Sequence, residues 1–138
     1  MAKLDNYILT FDGGCRGNPG LCGIGYVIYK NNEIIYKEGA VISEYNTNNF
    51  AEYSALVAGL EKAIELDINN LKVFGDSLLI IKQLNGEYKV RSNNIKELFL
   101  KSSTLKESFK NISFEHIFRE KNKLADWLAN EAMDYYIM

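Results

Sequence analysis

A short stretch near the start of the chain, Tyr7–Asp12, is strongly apolar and carries a single charge, on Asp12. Its side chains alternate between two faces that are both largely apolar, a pattern typical of a strand covered on both sides. We therefore expect a central strand, with Asp12 at the point where the sheet meets solvent. A carboxylate there can hold a divalent cation. Asp-Gly is also a common turn pair, so Asp12 by itself is equally consistent with a turn that ends the strand at Gly13-Gly14.

The remaining chain shows further strand and helix patterns without linkers, repeats or low-complexity segments. The predicted strands are 7–12, 23–29, 33–42, 71–75 and 112–118, and the predicted helices are 50–66, a brief one ending at 84, 95–109 and 121–135. Asn31-Asn32 predicts a hairpin turn, so the first three strands form an antiparallel meander. The order β-β-β-α-β-α-α-β-α predicts an α/β fold, a five-stranded mixed sheet with helices on both faces.

The composition is that of an ordinary globular chain, with 138 residues, 47% hydrophobic and 25% charged. No apolar run is long enough to cross a bilayer and the first residues lack a signal-peptide core, so we expect a cytoplasmic protein without a membrane partner. Cys15 and Cys22 are too few and too close to suggest a secreted disulfide scaffold or a zinc site, and we expect reduced thiols. The net charge of −2 argues against a strong nucleic-acid binder but not against an enzyme that clusters carboxylates for metal.

Four acidic residues lie at the ends of predicted elements, and each has a local explanation. Glu52 fits a capping box with Asn49, and Asp76 fits the N-cap of a helix. Asp126 lies in the first turn of the last helix, where the helix dipole favours an acid. Together with Asp12 they indicate a metal site, because hard cations such as Mg²⁺ prefer oxygen ligands and two such ions can clamp a phosphodiester.

Four motifs resemble, in order and spacing, the signature blocks of type 1 ribonuclease H, over residues 7–132. They are Asp12-Gly-Gly-Cys-Arg-Gly-Asn-Pro-Gly20, Thr47-Asn-Asn-Phe-Ala-Glu52, Gly75-Asp-Ser77 and Asn122-Lys-Leu-Ala-Asp-Trp-Leu-Ala129. The resemblance implies a five-stranded mixed sheet and Mg²⁺- or Mn²⁺-dependent endonucleolytic cleavage of the RNA strand of RNA/DNA hybrids, leaving 3′-hydroxyl and 5′-phosphate ends. It also implies two ions in the substrate-bound state, held by Asp12, Glu52, Asp76 and Asp126.

The resemblance also implies a role for individual residues. Asp12 would bridge the two ions, Glu52 would lie near the RNA ribose, and Asp76 and Asp126 would complete the coordination shells. The implied hybrid contacts are backbone groups of Gly13, Gly14 and Cys15, the amides of Asn18, Asn48 and Asn49 at ribose 2′-hydroxyls and base edges, and Thr47 at a DNA phosphate. For the asparagines, turn and capping roles are the alternative.

The chain departs from the family pattern in its substrate-binding segments. Leu78 stands where the family often has Gln, and the segment 86–94 is too short for the Lys-rich helix that some members use to grip substrate. We expect no separate hybrid-binding domain before Tyr7. We therefore expect weak, salt-sensitive hybrid binding by a single catalytic domain, residues 1–138, acting as a monomer.

Two basic residues are candidates for assisting catalysis. Many family members carry a mobile His between the last strand and last helix, and His116 is the only histidine here. Because Phe114, His116 and Phe118 alternate, His116 is better explained as a strand residue. Arg119 lies in a turn that resembles a subgroup with Arg in place of that histidine, so Arg119 is the better candidate for a phosphate contact.

Two other functions compete with an active stand-alone nuclease. One is a hybrid-binding module that has lost catalysis, which the presence of all four acids disfavours. The other is the ribonuclease H domain of a reverse transcriptase, whose sequence would look similar.

Overall fold

The structure, a computed structural model, describes residues 4–138, so the prediction about a signal peptide falls partly outside the described residues. The strands are β1 (Tyr7–Arg16), β2 (Gly20–Lys30), β3 (Glu33–Asn46), β4 (Asn70–Gly75) and β5 (Asn111–His116). The helices are α1 (Asn48–Glu65), α2 (Leu78–Leu84), α3 (Asn93–Lys106) and α4 (Lys123–Tyr136), with a 3₁₀ turn at Arg119–Lys121. The predicted order of elements is confirmed. Within the described range, no helix combines the length and apolarity of a membrane span.

The five strands form one mixed sheet in the order β3-β2-β1-β4-β5, so β1 is the central strand as predicted. β2 runs antiparallel to both β1 and β3, whereas β4 runs parallel to β1 and β5 parallel to β4. Phe11 of β1 pairs with Gly75 of β4. The residues that follow these two positions, Asp12 and Asp76, therefore emerge side by side.

The prediction that β1 ends at Gly13-Gly14 is wrong. Ladder pairing with β2 continues from Asp12, opposite Gly25, as far as Arg16, opposite Leu21. The partner strand thus overrides the weak strand preference of glycine, and the two-glycine segment is extended backbone beside the site. The predicted hairpin turn is confirmed: Asn31 and Asn32 have φ values of 50° and 70°, as a type I′ turn requires.

Helices cover the sheet on both faces. On one face, α1 packs over Leu9 and Phe11, which are buried with Tyr53 and Leu56 of the helix. On the other face α4 lies against β2 and β3, and its approach is very close because a Cβ at Gly25 would overlap the carbonyl of Ala125. This close packing sets the depth at which the first turn of α4 reaches the site.

The structure corrects the expectation of reduced thiols. The β1–β2 register sets Cys15 directly opposite Cys22, with a Cα–Cα distance of 4.0 Å, and the two sulfurs form a disulfide. Their separation of seven residues places the two cysteines on paired strands of one hairpin. The sequence-based interpretation treated them as loop residues and could not include this pairing.

Candidate active site

Three of the four predicted metal ligands meet where Asp12 of β1 lies beside the carboxyl end of β4. Asp12 lies on β1, Glu52 on the second turn of α1, and Asp76 directly after β4. One carboxylate oxygen from each lies within 4.8 Å of the other two, close enough for a shared cation. Asp12 is only 8% exposed, so its charge is largely removed from water.

The fourth acid, Asp126, lies in the first turn of α4 as predicted and faces the same cavity. It stands outside the group of three that share the 4.8 Å spacing. Its carboxyl group nevertheless lies near enough to Asp12 to raise the pKa of Asp12 further. The cavity that all four acids line has a volume of about 490 Å³.

Burial and mutual repulsion dominate the electrostatics of the acidic site. Burial and the negative charge of Asp76 raise the pKa of Asp12 from 3.8 to about 8, with smaller contributions from Asp126 and Glu52. Burial and Asp76 also raise the pKa of Glu52 from 4.5 to about 8, while Arg119 lowers it. Carboxylates crowded at this spacing are stable in their charged form only with a cation among them.

A glycine brings Glu52 to Asp12. A Cβ at Gly13 would overlap the carbonyl of Ala51 and come within 2.7 Å of the backbone nitrogen of Glu52. Because Gly13 has no side chain, the start of α1 can touch β1 at this point. Gly13 thus has a structural role in packing β1 against α1, while its contact with a hybrid stays a prediction.

The local explanations of Glu52 and Asp76 are both wrong. Thr47 is the N-cap of α1, and its hydroxyl accepts from the backbone N–H of Phe50 at 3.3 Å. Ser77, not Asp76, is the N-cap of α2, and its hydroxyl accepts from Ile80 at 3.4 Å. Neither acid is used as a cap, so both carboxylates remain available to the cavity.

The two candidate basic residues lie in different places. Arg119 lines the cavity of the four acids, and its charge acts on Glu52. His116 is the last residue of β5, as its alternation predicted, and its Nε2 lies 3.2 Å from the backbone oxygen of Asp76. His116 is not among the residues that line the cavity. The geometry thus supports Arg119 over His116, while a contact of either with phosphate stays a prediction.

The residues predicted to contact the hybrid form a continuous face. Gly14, Cys15 and Asn48 line the acidic cavity with Gly13, and a neighbouring cavity of about 520 Å³ is lined by Asn18, Thr47, Asn48, Asn49 and Glu52, together with Ser92 and Asn94. The Oδ1 of Asn48 accepts from the N–H of Cys15 at 2.8 Å. The Oδ1 of Asn18 accepts from the N–H of Asn48 at 3.0 Å. What each amide then offers a ligand is mainly its N–H donors.

Several residues of the site were not predicted. Ser92 and Asn94 reach it from the start of α3, where the Asn94 amide donates to Thr47 Oγ1 at 3.3 Å. Asn130 donates to the carboxylate of Asp126 at 3.2 Å, a contact that the i, i+4 spacing on α4 could have indicated. Arg16 lines the cavity with its guanidinium 2.6 Å from Asp134. That ion pair joins β1 to α4, a pairing that no local sequence signal reveals.

The cluster fits a divalent cation of the hard type. Its donors are carboxylate oxygens only, in the part of the chain that the structure describes. Such a donor set suits Mg²⁺ or Mn²⁺ rather than a metal that prefers nitrogen or sulfur. The raised pKa values of Asp12 and Glu52 share two causes, burial first and the negative charge of Asp76 second.

Fold and site together define an α/β domain with a cluster of carboxylates, suited to a divalent cation, on its central strands. Residues 10–132 match the sequence profile of the reverse transcriptase-like family. The chain is 38% identical over 124 residues to ribonuclease HI of Halobacterium salinarum, covering 90% of this chain and 62% of that protein. It is 37% identical over 128 residues to the bifunctional protein Rv2228c of Mycobacterium tuberculosis, covering 92% of this chain and 35% of that protein.

Solved structures agree. The N-terminal ribonuclease H domain of the M. tuberculosis protein superposes with a TM-score of 0.90 at 35% identity, covering 96% of both chains. A ribonuclease H1 solved in complex with an RNA/DNA hybrid superposes with a TM-score of 0.90 at 39% identity, covering 96% of this chain and 100% of that one. The chain belongs to the type 1 ribonuclease H family. It spans between about a third and two thirds of the length of these curated relatives.

Proposed function

We propose that the protein is a metal-dependent endoribonuclease that hydrolyses the RNA strand of RNA/DNA hybrids and leaves 3′-hydroxyl and 5′-phosphate ends. The observation that carries the proposal is the meeting of Asp12, Glu52 and Asp76 within 4.8 Å of one another. A solved relative of the same fold was crystallised with an RNA/DNA hybrid, which supports that substrate class. A module that only binds hybrids has no need of crowded, buried carboxylates, so catalysis accounts for the site better.

The four acids would hold two Mg²⁺ or Mn²⁺ ions when substrate is bound. Bound there, such ions would lower the pKa of the attacking water and stabilise the leaving 3′-oxygen. Asp12 would contact both ions, a role supported by its spacing from Glu52 and Asp76 and by the effect of Asp126 on its pKa. The chain therefore does not need a strong protein base.

The face beside the acids would hold the hybrid. The N–H donors of Asn18, Asn48 and Asn49 suit ribose 2′-hydroxyls and base edges, which distinguish RNA from DNA. Thr47 and Arg119 flank the acids and suit phosphates. The region between α2 and α3, residues 85–92, is a short loop, so the grip on substrate would rest on this face.

We also propose that residues 1–138 act as one catalytic domain and as a monomer. The support is that all four acids and all five strands of the sheet come from this one chain. Size-exclusion chromatography with light scattering, at concentrations used for activity assays, tests the monomer.

The test of the activity is a substrate panel. An end-labelled RNA/DNA hybrid is incubated with Mg²⁺ or Mn²⁺ beside single-stranded RNA and double-stranded RNA, with the wild-type protein and Asp12→Asn. We expect internal cuts in the RNA strand of the hybrid by the wild type and none by the variant. Binding of the hybrid without cleavage under either ion would instead favour the hybrid-binding module.

A further inference from the structure

Asn122 is a buried residue that contacts Asp76 directly, the backbone of Asp126, and the backbone of the residue before Asp12. It is the N-cap of α4 and only 2% exposed. Its Nδ2 donates to the backbone oxygen of Phe11 at 2.9 Å and to Oδ2 of Asp76 at 3.0 Å. Its own backbone oxygen accepts from the N–H of Asp126 at 3.2 Å. Asn122 thus links Phe11 in β1, Asp76 directly after β4, and the first turn of α4.

The side chain of Asn122 does not do what an asparagine at an N-cap usually does. An N-cap side chain normally accepts from a backbone N–H of the first helical turn, which stabilises the helix. Asn122 makes no such capping bond. Its Oδ1 is buried and has no hydrogen-bond partner among the described residues. Helix stability alone therefore does not explain this side chain.

The donors, by contrast, are both used. A primary amide carries two N–H groups on one nitrogen, and here one reaches a main-chain oxygen and the other a carboxylate. A hydroxyl has one hydrogen to donate and a carboxylate has none, so few side chains of this size could make both contacts. A buried oxygen without a partner is unfavourable, so the two donor contacts are what account for an asparagine at this position.

We propose that Asn122 is a positioning residue for the metal site, a role that rests on the proposed function. Because its amide donates both to Oδ2 of Asp76 and to the backbone oxygen of Phe11, it fixes the rotation of that carboxylate and its distance from Asp12. Through its backbone oxygen it sets the first turn of α4 and so the place of Asp126. Asn122 would act on a cation only through these acids.

The test measures metal binding directly. Mn²⁺ and Mg²⁺ binding to the protein without substrate is followed by calorimetry for the wild type, Asn122→Ala and Asn122→Leu at one fixed pH. Leu has the branching and the number of side-chain heavy atoms of Asn but is bulkier and has no donors. Ala leaves a gap where Leu fills the site, so a loss common to both variants reports the missing donors and not a change in packing. We expect either variant to bind the ion about tenfold more weakly, as removal of a group that orients a metal ligand typically does. Circular dichroism establishes that each variant is folded.

Two controls make the result specific. Asn85 also donates from Nδ2 to a strand carbonyl, that of Phe114 at 3.1 Å, but touches no acid. Asn85→Ala should leave metal affinity unchanged. In an Asp76→Asn background, Asn122→Ala should cause little further loss, because the partner through which it acts is already altered.

The outcomes separate the two proposals. Folded Asn122 variants that bind metal like the wild type, or that add their full loss to that of Asp76→Asn, would overturn the positioning role. Hybrid cleavage is assayed in parallel, and the metal concentration for half-maximal rate should rise by the same factor while KM for the hybrid changes less than about twofold. If the wild type binds metal but cuts no hybrid, the proposed function fails while the effect of Asn122 on metal affinity still decides its role.

Discussion

At the scale of single residues, the defining feature is a group of acids that the fold holds together against their own repulsion. The pKa of Asp12 and that of Glu52 both rise to about 8, chiefly because the residues are buried and face Asp76. Such an arrangement destabilises the metal-free protein near neutral pH. A cation bound among these acids would therefore relieve their repulsion.

Asp12→Asn should stabilise the metal-free protein. Because the folded-state pKa values of Asp12 and Glu52 lie above their ordinary 3.8 and 4.5, the stability that these groups contribute is present below about pH 4 and is lost as pH rises to 8. We expect the variant to raise the free energy of unfolding by about 1–3 kcal/mol at pH 8, with a smaller gain at pH 5. Urea unfolding in EDTA at both pH values measures it. A variant less stable than the wild type at pH 8 would contradict the electrostatic description.

Arg119 and His116 should differ in their effects on cleavage. Arg119 lines the acidic cavity, whereas His116 is not among the residues that line it. The ring of His116 contacts the backbone oxygen of Asp76 and not its carboxylate. We expect Arg119→Ala to lower kcat/KM for a hybrid by about tenfold or more, as loss of a charged phosphate contact does. His116→Ala should change it by less than about twofold. Steady-state kinetics on one hybrid compares the two, and a larger effect at His116 would reverse the assignment.

The acids could be read from the sequence because each follows a strand or opens a helix in a recognisable motif. Their supports could not. Asn122 meets Asp76 across 46 residues and Phe11 across 111, and such contacts exist only once the strands are ordered. The disulfide between Cys15 and Cys22 could not be predicted for the same reason, because it depends on the register of two strands.

At the scale of elements, the site depends on how closely α1 and α4 approach the sheet. Glycines at the contact points remove the side chains that would hold the helices away. Sequence patterns identified every strand and helix, but placed several boundaries wrongly. β1 runs on to Arg16 and β3 to Asn46, because pairing with β2 outweighs the local preference for turns at those residues.

Gly13→Ala should show the cost of that close approach. The added Cβ would overlap the carbonyl of Ala51, so β1 and α1 must separate where Asp12 and Glu52 meet. We expect a loss of about 1–3 kcal/mol in unfolding free energy and weaker metal binding. Gly14→Ala is the matched control, because its Cβ would meet only the Asn48 side chain at 4.0 Å, and its stability should change by less than about 0.5 kcal/mol. Equal losses in thermal unfolding would show that packing against α1 is not the cause.

At the scale of the whole molecule, the net charge of −2 and the short loop between α2 and α3 predict weak binding of a nucleic-acid substrate. The chain has no net basic excess with which to attract a polyanion from a distance. Recognition would rest on the local face around Thr47 and the asparagines. The cytoplasmic location stays a prediction from composition.

Hybrid binding should weaken steeply with salt. With only a few phosphate contacts, we expect Kd to rise about ten- to a hundredfold between about 50 and 200 mM monovalent salt. Fluorescence anisotropy of a labelled hybrid with the Asp12→Asn protein measures binding without cleavage. Affinity that is independent of salt would mean that phosphates contribute little.

We propose that the carboxylate cluster binds divalent metal ions and that the protein then cleaves RNA within a hybrid. The most direct measurement is cleavage of a labelled hybrid by one wild-type preparation with its metal removed by EDTA and then restored with excess Mg²⁺ or Mn²⁺, with analysis of the product ends. We expect no cleavage in EDTA, and on restoration internal cuts in the RNA strand alone that carry 3′-hydroxyl and 5′-phosphate ends. Cleavage that persists in EDTA, or no cleavage with either ion restored, would contradict the claim.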